Sequence, residues 1–327
     1  MKPPVFVLGA PRSGTTLLYH MLLSSGKFAI YMSETHVFNL VGPRFGDLAH
    51  KANRQKLLDV WLRSFQFNRS GLNPEQFAAT IMKDCRSEGE FLRMFMEQIA
   101  KQQALDRWAE CTPEHLLYLK QIKRTLPEAK IIHIIRDGRD VALSEIRQGW
   151  VRPFPWDRAH RLSVSGLYWE WIVRKGQEDG KKIAPDYLEV RFEELVRNPR
   201  AVLPGISSFI GQSLDYDLML KNAVGTLKSP NTSFAKDSKN KGFDPVARWK
   251  TEVAPEELRA LESAIGPLLA ELGYPLANEN GKDRTSAPFT AMRLRACYPG
   301  YFGSRLWLKS HTPLGRLTET GLLQEKS

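Results

Sequence analysis

Residues 5 to 23, V-F-V-L-G-A-P-R-S-G-T-T-L-L-Y-H-M-L-L, constrain this chain more than any other stretch. Val5 to Leu8 is a short apolar run that reads as a buried strand, Gly9 to Thr16 is a loop rich in Gly, Ser and Thr, and Leu17 to Leu23 resumes with helical character. Such a loop turns its backbone N–H groups inward, and the helix N-terminus adds partial positive charge, so the unit is an anion cradle. Gly9-x-x-x-x-Gly14 followed by two hydroxyl residues has the spacing of a phosphate-binding P-loop. An NTPase needs a Lys after the second Gly; here that position is Thr15, and the loop's only cation is Arg12. A ligand with one cluster of anionic oxygens and no obligatory metal fits better than ATP. A purely structural Gly turn is the competing reading.

The rest of the chain supplies further strands and helices for an α/β P-loop-like three-layer fold, a central parallel sheet flanked by helices. Phe28 to Met32 reads as a second strand ending at Ser33-Glu34-Thr35-His36, which places Glu34 beside the anion loop as a candidate base; a helix cap or a solvated charge is its bland alternative. Residues 43–106 are helical in pattern, with Phe91, Met94, Phe95 and Ile99 on one stripe, and form an insertion placed to act as a substrate cap. Arg107 to Cys111 is a short strand closed by Thr112-Pro113, and Glu114 to Leu126 is helical. Lys130 to Ile135 (K-I-I-H-I-I) is a continuous apolar run, as expected of a central parallel strand covered on both faces.

That strand runs into R-D-G-R-D-V-A-L-S at 136 to 144, where Gly138 marks the turn and Asp140 reads as the cap of the next helix. Asp137 at the strand end imitates a Walker-B element, a reading discounted by the missing P-loop Lys. Ser163 to Arg174 is a further helix, Tyr187 to Phe192 a further strand, and Asn198-Pro199 opens a helix through Ile210. Trp150 and Trp156 lie in a Pro-rich connection, where packing is favoured over stacking on a ligand. Leu218 to Lys250 is polar and reads as a surface loop, and a well-marked helix starts at Pro255 and stops at Gly273. These features place a compact domain at residues 1–275 and a basic, aromatic extension at 276–327 that packs on its own domain or makes a homodimer contact.

With 47 basic against 36 acidic residues, a formal charge of +11 suits an anionic ligand without choosing among nucleotide, nucleic acid and membrane surface. Met1 leads almost directly into the first strand and no apolar run reaches the length of a membrane span, so a cytoplasmic protein with no transmembrane segment is expected. Three cysteines without CxxC spacing and seven histidines without HExxH spacing point to no metal.

Three ordered stretches resemble the sulfotransferase family that uses 3′-phosphoadenosine-5′-phosphosulfate (PAPS) as donor. A-P-R-S-G-T-T at 10 to 16 is similar to the Arg form of the family's 5′-phosphosulfate loop, seen in tyrosylprotein and many bacterial members, which implies donor contacts from Pro11, Arg12, Ser13, Gly14, Thr15 and Thr16. Arg136 and Ser144 resemble the pair that binds the 3′-phosphate. K-G-F-D-P-V-A-R-W-K at 241 to 250 resembles the loop that closes over the donor, implying Lys241, Gly242, Arg248 and Lys250. S-E-T-H-V-F at 33 to 38 resembles segments of heparan and tyrosylprotein enzymes whose Glu is the base, which favours Glu34, with His36 as support or runner-up. Y-L-E-V-R-F-E-E-L at 187 to 195 extends the likeness, which spans roughly residues 4 to 275.

The resemblance therefore implies in-line transfer of a sulfuryl group from PAPS to an acceptor hydroxyl or amine on a small molecule, glycan, lipid or peptide, without metal and without nucleic acid as partner. One position departs from the family: Cys111 stands where a Lys commonly helps the transferring group, so either another cation, Arg44 or Lys250, replaces it or Glu110 takes an unusual role. The rival functions are a P-loop kinase-like enzyme and a nonenzymatic nucleotide-binding protein.

Overall fold

The computed structural model of the protein describes residues 1–149, 151–229, 244–277 and 287–317. Four parallel strands, β1 (Val5–Leu8), β2 (Ala109–Glu110), β3 (Lys130–Ile135) and β4 (Tyr187–Arg191), lie in the order β2-β1-β3-β4. Val5 pairs with Ala109 on one side and Lys130 on the other, and Ile131 with Tyr187. The apolar run of β3 shows no alternation because both of its faces are covered. Ile131 and Ile135 join Phe6 and Leu8 in the larger core, whereas Ile132 and Ile134 join Val5 and Val7 in the smaller one. The larger core also takes residues of the helices Arg161–Lys181 and Pro255–Glu271, and the smaller takes those of Thr15–Ser24 and Pro199–Ile210. A sheet sandwiched between two helical layers results, as the sequence indicates.

Residues 43–106 fold mainly into helices. Their apolar stripes meet around Trp61, whose ring packs edge-on against Phe91 and Phe95 at 5.1 and 5.2 Å. Asn73 and Ser87 accept backbone N–H bonds at the starts of Pro74–Asp84 and Glu88–Gln102, so side chains satisfy part of each helix end. The helix Ala287–His311 lies across the larger core, burying Leu294, Tyr298 and Phe302. Tyr298 there receives the Phe154 N–H and donates to Asp157. Among the described residues, no helix is long and apolar enough to cross a membrane.

Three local expectations need correction. Phe28 to Met32 is not a strand: Ala29 N–H reaches Arg107 O, but Ile30 exchanges both its backbone bonds with the side-chain amide of Gln103. A glutamine thus takes the place of a neighbouring strand. Asp140 is not the cap of the helix Gly138–Gln148; Asp137 is, accepting from Arg139 N–H. The stretch 218–250 is only partly surface loop. Tyr216–Lys221 is helical, and Val246 and Trp249 are buried.

The turn from β3 into the helix depends on Gly138, where a Cβ would lie 2.4 Å from the buried Trp169 ring. Gly138→Ala should lower stability by about 1–3 kcal/mol through overpacking. A lowered urea midpoint with unchanged slope would show it.

Candidate active site

The anion loop is shaped by two close approaches. A Cβ on Gly9 would sit 2.5 Å from the Ile134 carbonyl, and one on Gly14, whose φ is +94°, would enter the Phe192 ring at 2.2 Å. Only glycine fits either position. Gly14 begins the helix Thr15–Ser24 with no side-chain cap, so the first N–H groups of that helix face the loop with the positive end of its dipole. Arg12, at φ +69°, turns the loop back on itself. Pro11, Ser13 and Thr15 are buried and Thr16 half-buried, and the Ser13 hydroxyl has no hydrogen-bond partner. An uncapped helix start beside an orphaned buried hydroxyl suits an anion.

Arg12 Nε donates to Ser144 Oγ at 2.9 Å, and Arg136 Nη1 donates to the Arg12 carbonyl at 2.9 Å. Arg136 Nη2 reaches the Pro245 carbonyl at 2.6 Å, its guanidinium lies 4.7 Å from the Phe192 ring centre, and its Nε is buried without a partner. The three residues that the sequence assigns to the two ends of a donor are therefore one cluster, with Ser144 turned toward Arg12. Glu145 lies behind it. Burial pushes its carboxyl up to about 8, opposed by the Ser165 hydroxyl bond of 2.7 Å and, more weakly, by the charge of Arg12. Glu145 is therefore neutral at pH 7, and Arg12 is not cancelled by it.

Residues 244–250 are fixed to the turn after β3. Asp140 accepts the N–H groups of Ala247 and Trp249 at 2.8 and 3.0 Å, and the Trp249 indole donates to Asp137 at 3.1 Å. Arg139 lies 3.7 Å over that indole ring and binds Asp137 and Glu262. Asp137, the Walker-B look-alike, is thus engaged by a helix N-terminus, an arginine and an indole. Arg248 pairs with Glu252 at 2.8 Å, and Lys250 is exposed, 5.6 Å from the Trp249 ring centre. Lys241 and Gly242 lie outside the described residues.

Across the cleft, the segment Ser33–His36 is held by the end of β2. Thr112 Oγ1 accepts Thr35 N–H at 3.1 Å and His36 N–H at 3.3 Å, while donating to Glu110. Glu110 also accepts from the Thr35 hydroxyl at 2.8 Å, Thr112 N–H and His115 Nδ1. Burial raises its pKa, but His115 and these donors outweigh burial and hold it down to about 2. Since His115 Nε2 accepts Phe38 N–H at 3.1 Å, its proton sits on Nδ1 and faces Glu110. Glu110 is therefore an ionised clamp for the segment Ser33–His36.

Glu34 carries its carboxylate into the cleft with the side chain 44% exposed, 3.4 Å from His36 Nε2. Desolvation by the surrounding protein raises its pKa to about 7, Glu110 and Glu114 add to the rise, and Arg12 opposes it. His36, buried and near His115, is pushed down to about 4 and is neutral. Cys111 is buried between these groups; desolvation, Glu34 and Glu110 raise its thiol well above the usual range, against a hydrogen bond with Thr15. It is a neutral filler at this point. Arg44 is half-buried on the short helix Gly42–Phe45.

The sequence reading missed several residues here. Glu145 and Glu114 are adjacent in sequence to residues it singled out, but only the fold shows that Glu145 is buried and Glu114 half-buried. Asn39 links His36 Nδ1, at 3.5 Å, to Glu114 Oε2, at 3.0 Å. No sequence pattern marks it.

The model of the sulfotransferase family matches residues 3–216, more than half of the 327-residue chain. Protein-tyrosine sulfotransferase A of Caenorhabditis elegans is 26% identical over 286 residues, covering 85% of this chain and 69% of that protein. An uncharacterized protein of Aquifex aeolicus is 28% identical over 219 residues; the match takes 64% of this chain but only 25% of the Aquifex protein's length. The sulfotransferase domain of the Synechococcus PCC 7002 olefin synthase has a similar fold, with a TM-score of 0.55 at 22% identity, over 84% of this chain and 96% of that domain. The loop of P-loop spacing without its Lys, and the match across the sheet and its flanking helices, have one explanation: the chain belongs to the sulfotransferase family, whose sulfuryl donor is PAPS.

Proposed function

We propose that the protein transfers the sulfuryl group of PAPS to an acceptor hydroxyl, with Glu34 as general base. The observation that carries this reading is the position of Glu34: a half-exposed carboxyl raised to about 7, on a segment clamped by Glu110 and Thr112, near enough to Arg12 for that charge to act on it. When bound, PAPS supplies an electrophilic sulfur and a bisphosphate leaving group. Glu34 accepts the acceptor's proton as the acceptor oxygen forms its bond to sulfur and the bond from sulfur to the bridging oxygen breaks. Arg12, the N–H groups at the start of Thr15–Ser24 and the Ser13, Thr15 and Thr16 hydroxyls stabilise the charge that grows on the leaving oxygen. Preorganisation matters here, because donors already oriented need not reorganise during transfer.

The 3′-phosphate is assigned to the side of Arg136, Ser144 and Arg248, with Lys241, Gly242 and Lys250 completing it. Neutral His36 orients Glu34 from behind. With Cys111 uncharged and Glu110 used as a clamp, Arg12 carries the cationic part of the task. A kinase-like reading would require Asp137 to give up its bonds to Arg139 and Trp249.

A base that must be ionised gives kcat/KM that rises with pH through about 7 and then levels. Glu34→Gln should lower kcat by about 10²–10⁴ and abolish that rise while leaving nucleotide binding intact. Mass-shift assays of sulfate transfer across pH check this; full turnover by the variant would refute the base assignment. Arg136→Ala should raise the KM for PAPS far more than the KM for the acceptor, as initial rates at varied donor would show.

Glu145 offers an independent test of the electrostatics. Its folded-state pKa, about 8, lies above the unfolded value, so the folded state holds a proton that the unfolded state releases. Its contribution is present below the unfolded pKa and is lost as pH rises to about 8. Glu145→Gln, which keeps the neutral shape, should flatten this decline in denaturant titrations between pH 5 and about 8.5.

A further inference from the structure

A cavity of about 560 Å³ opens beside Glu114, between the segment Pro113–Tyr118, the helix Arg161–Lys181 and the C-terminal helix Ala287–His311. Its volume suits a small molecule rather than a folded partner. Among aliphatic residues such as Leu117 and Leu306, two kinds of group stand out in its lining. Aromatic rings form one wall: Tyr168 lies nearly parallel to Trp171, with ring centres 6.0 Å apart, and meets Phe302 edge-on at 5.1 Å. The other kind is cationic: Arg152, Arg305 and Lys309.

The charges of this lining do not balance. Glu114 is its one carboxylate among the described residues, and both oxygens are engaged, Oε1 by the Tyr168 hydroxyl at 3.1 Å and Oε2 by Asn39 Nδ2 at 3.0 Å. Among the described residues, exposed Arg305 meets the Tyr301 ring and hydroxyl, at 5.5 and 3.3 Å, and neither it, exposed Arg152 nor Lys309 has an ion pair. Elsewhere on the surface, arginines such as Arg147 and Arg174 are paired with Glu252 and Glu271. Lys309 is also partly desolvated: burial lowers its pKa, opposed by Glu114. Cations left without carboxylates around an apolar, aromatic hollow suit a ligand that brings its own negative charge on an apolar body.

A chain of side-chain contacts also joins the lining of the cavity to Glu34. From Glu114 Oε2 the path runs through Asn39 to His36 and on to Glu34, by contacts of 3.0, 3.5 and 3.4 Å. We infer that this cavity is the acceptor site and that it selects a small hydroxylated molecule with an apolar body and an anionic group, the anion held by Arg152, Arg305 and Lys309 and the hydroxyl directed to Glu34. This assignment rests on the reading of Glu34 as the base. Arg305 and Lys309 come from the C-terminal helix, so specificity lies outside the part of the chain that binds the donor.

The test uses the full chain saturated with adenosine 3′,5′-bisphosphate and two matched probe pairs: 12-hydroxydodecanoate against 1,12-dodecanediol, and 3-(4-hydroxyphenyl)propionate against its methyl ester. Calorimetry should show the anionic member of at least one pair binding about tenfold or more tightly than its neutral partner, and the pair that responds distinguishes a lipid-like from an aryl body. The double variant Arg305→Gln, Lys309→Gln should lose that preference while keeping its affinity for the bisphosphate and its thermal midpoint. Should the double variant unfold, Lys309→Gln alone, read as a several-fold loss of the same preference, replaces it. Neutral members binding as tightly as anionic ones, or a preference that survives the substitutions, would overturn the assignment. Sulfate-transfer assays with the same probes separate the two readings. An anion preference in binding without any transfer would tell against Glu34 as the base and leave the anionic cavity standing, whereas transfer to neutral probes, indifferent to Arg305 and Lys309, would do the reverse.

Discussion

The buried guanidinium of Arg136 joins the parts of this cleft. It binds the carbonyl of Arg12 in the anion loop and that of Pro245 in the segment bearing Trp249, and it packs on Phe192, the same ring that leaves room only for glycine at position 14. Taking a guanidinium out of water is costly, and here that cost is offset by carbonyl acceptors and by Asp140 at 3.8 Å. Loss of the side chain would leave two carbonyls unpaired and two loops unlinked. Arg136 is consequently a structural hub before any ligand arrives, and the cluster around it is fixed in place. Preorganised charge of this kind is what a transfer reaction with a charged leaving group requires.

The opposite wall follows the same logic with the sign reversed. Glu110, ionised and surrounded by donors, holds Thr35 and Thr112, and through them the backbone of His36. Its negative charge also helps to raise the pKa of Glu34. One carboxylate is kept charged so that another titrates near neutrality, and their different surroundings account for the difference. Cys111, lying between them with a neutral thiol, adds no charge to this balance.

Much of this was legible in the sequence where short-range patterns decide the outcome. The apolar runs of β1 and β3, the glycines at 9 and 14, Asn198-Pro199 and Pro255 each fix local structure by sterics or hydrogen bonding within a few residues, whereas the family resemblance rested on the motifs at 10–16, 136–144 and 241–250. Phe28 to Met32 misled because apolar content cannot reveal that Gln103, over seventy residues away in sequence, supplies the backbone's hydrogen bonds. Asp140 was read as a cap because its sequence neighbours permit it; the N–H groups it binds come from Ala247 and Trp249. The cavity beside Glu114 was illegible for the same reason, since Arg305 and Lys309 lie in a stretch whose sequence reads only as a basic, aromatic extension and shows nothing of what it faces. Long-range pairing of charge carries no local signal.

On the proposed reading, a nucleotide carrying separate 3′ and 5′ phosphates is held by Arg12, its loop and Arg136 without a metal. Titration calorimetry of the full chain with adenosine 3′,5′-bisphosphate and with ATP, each in EDTA and in excess Mg²⁺, tests it most directly. Binding of the bisphosphate should be the same in both buffers and at least about tenfold tighter than that of ATP. Tighter binding of ATP, appearing only with Mg²⁺, would contradict it.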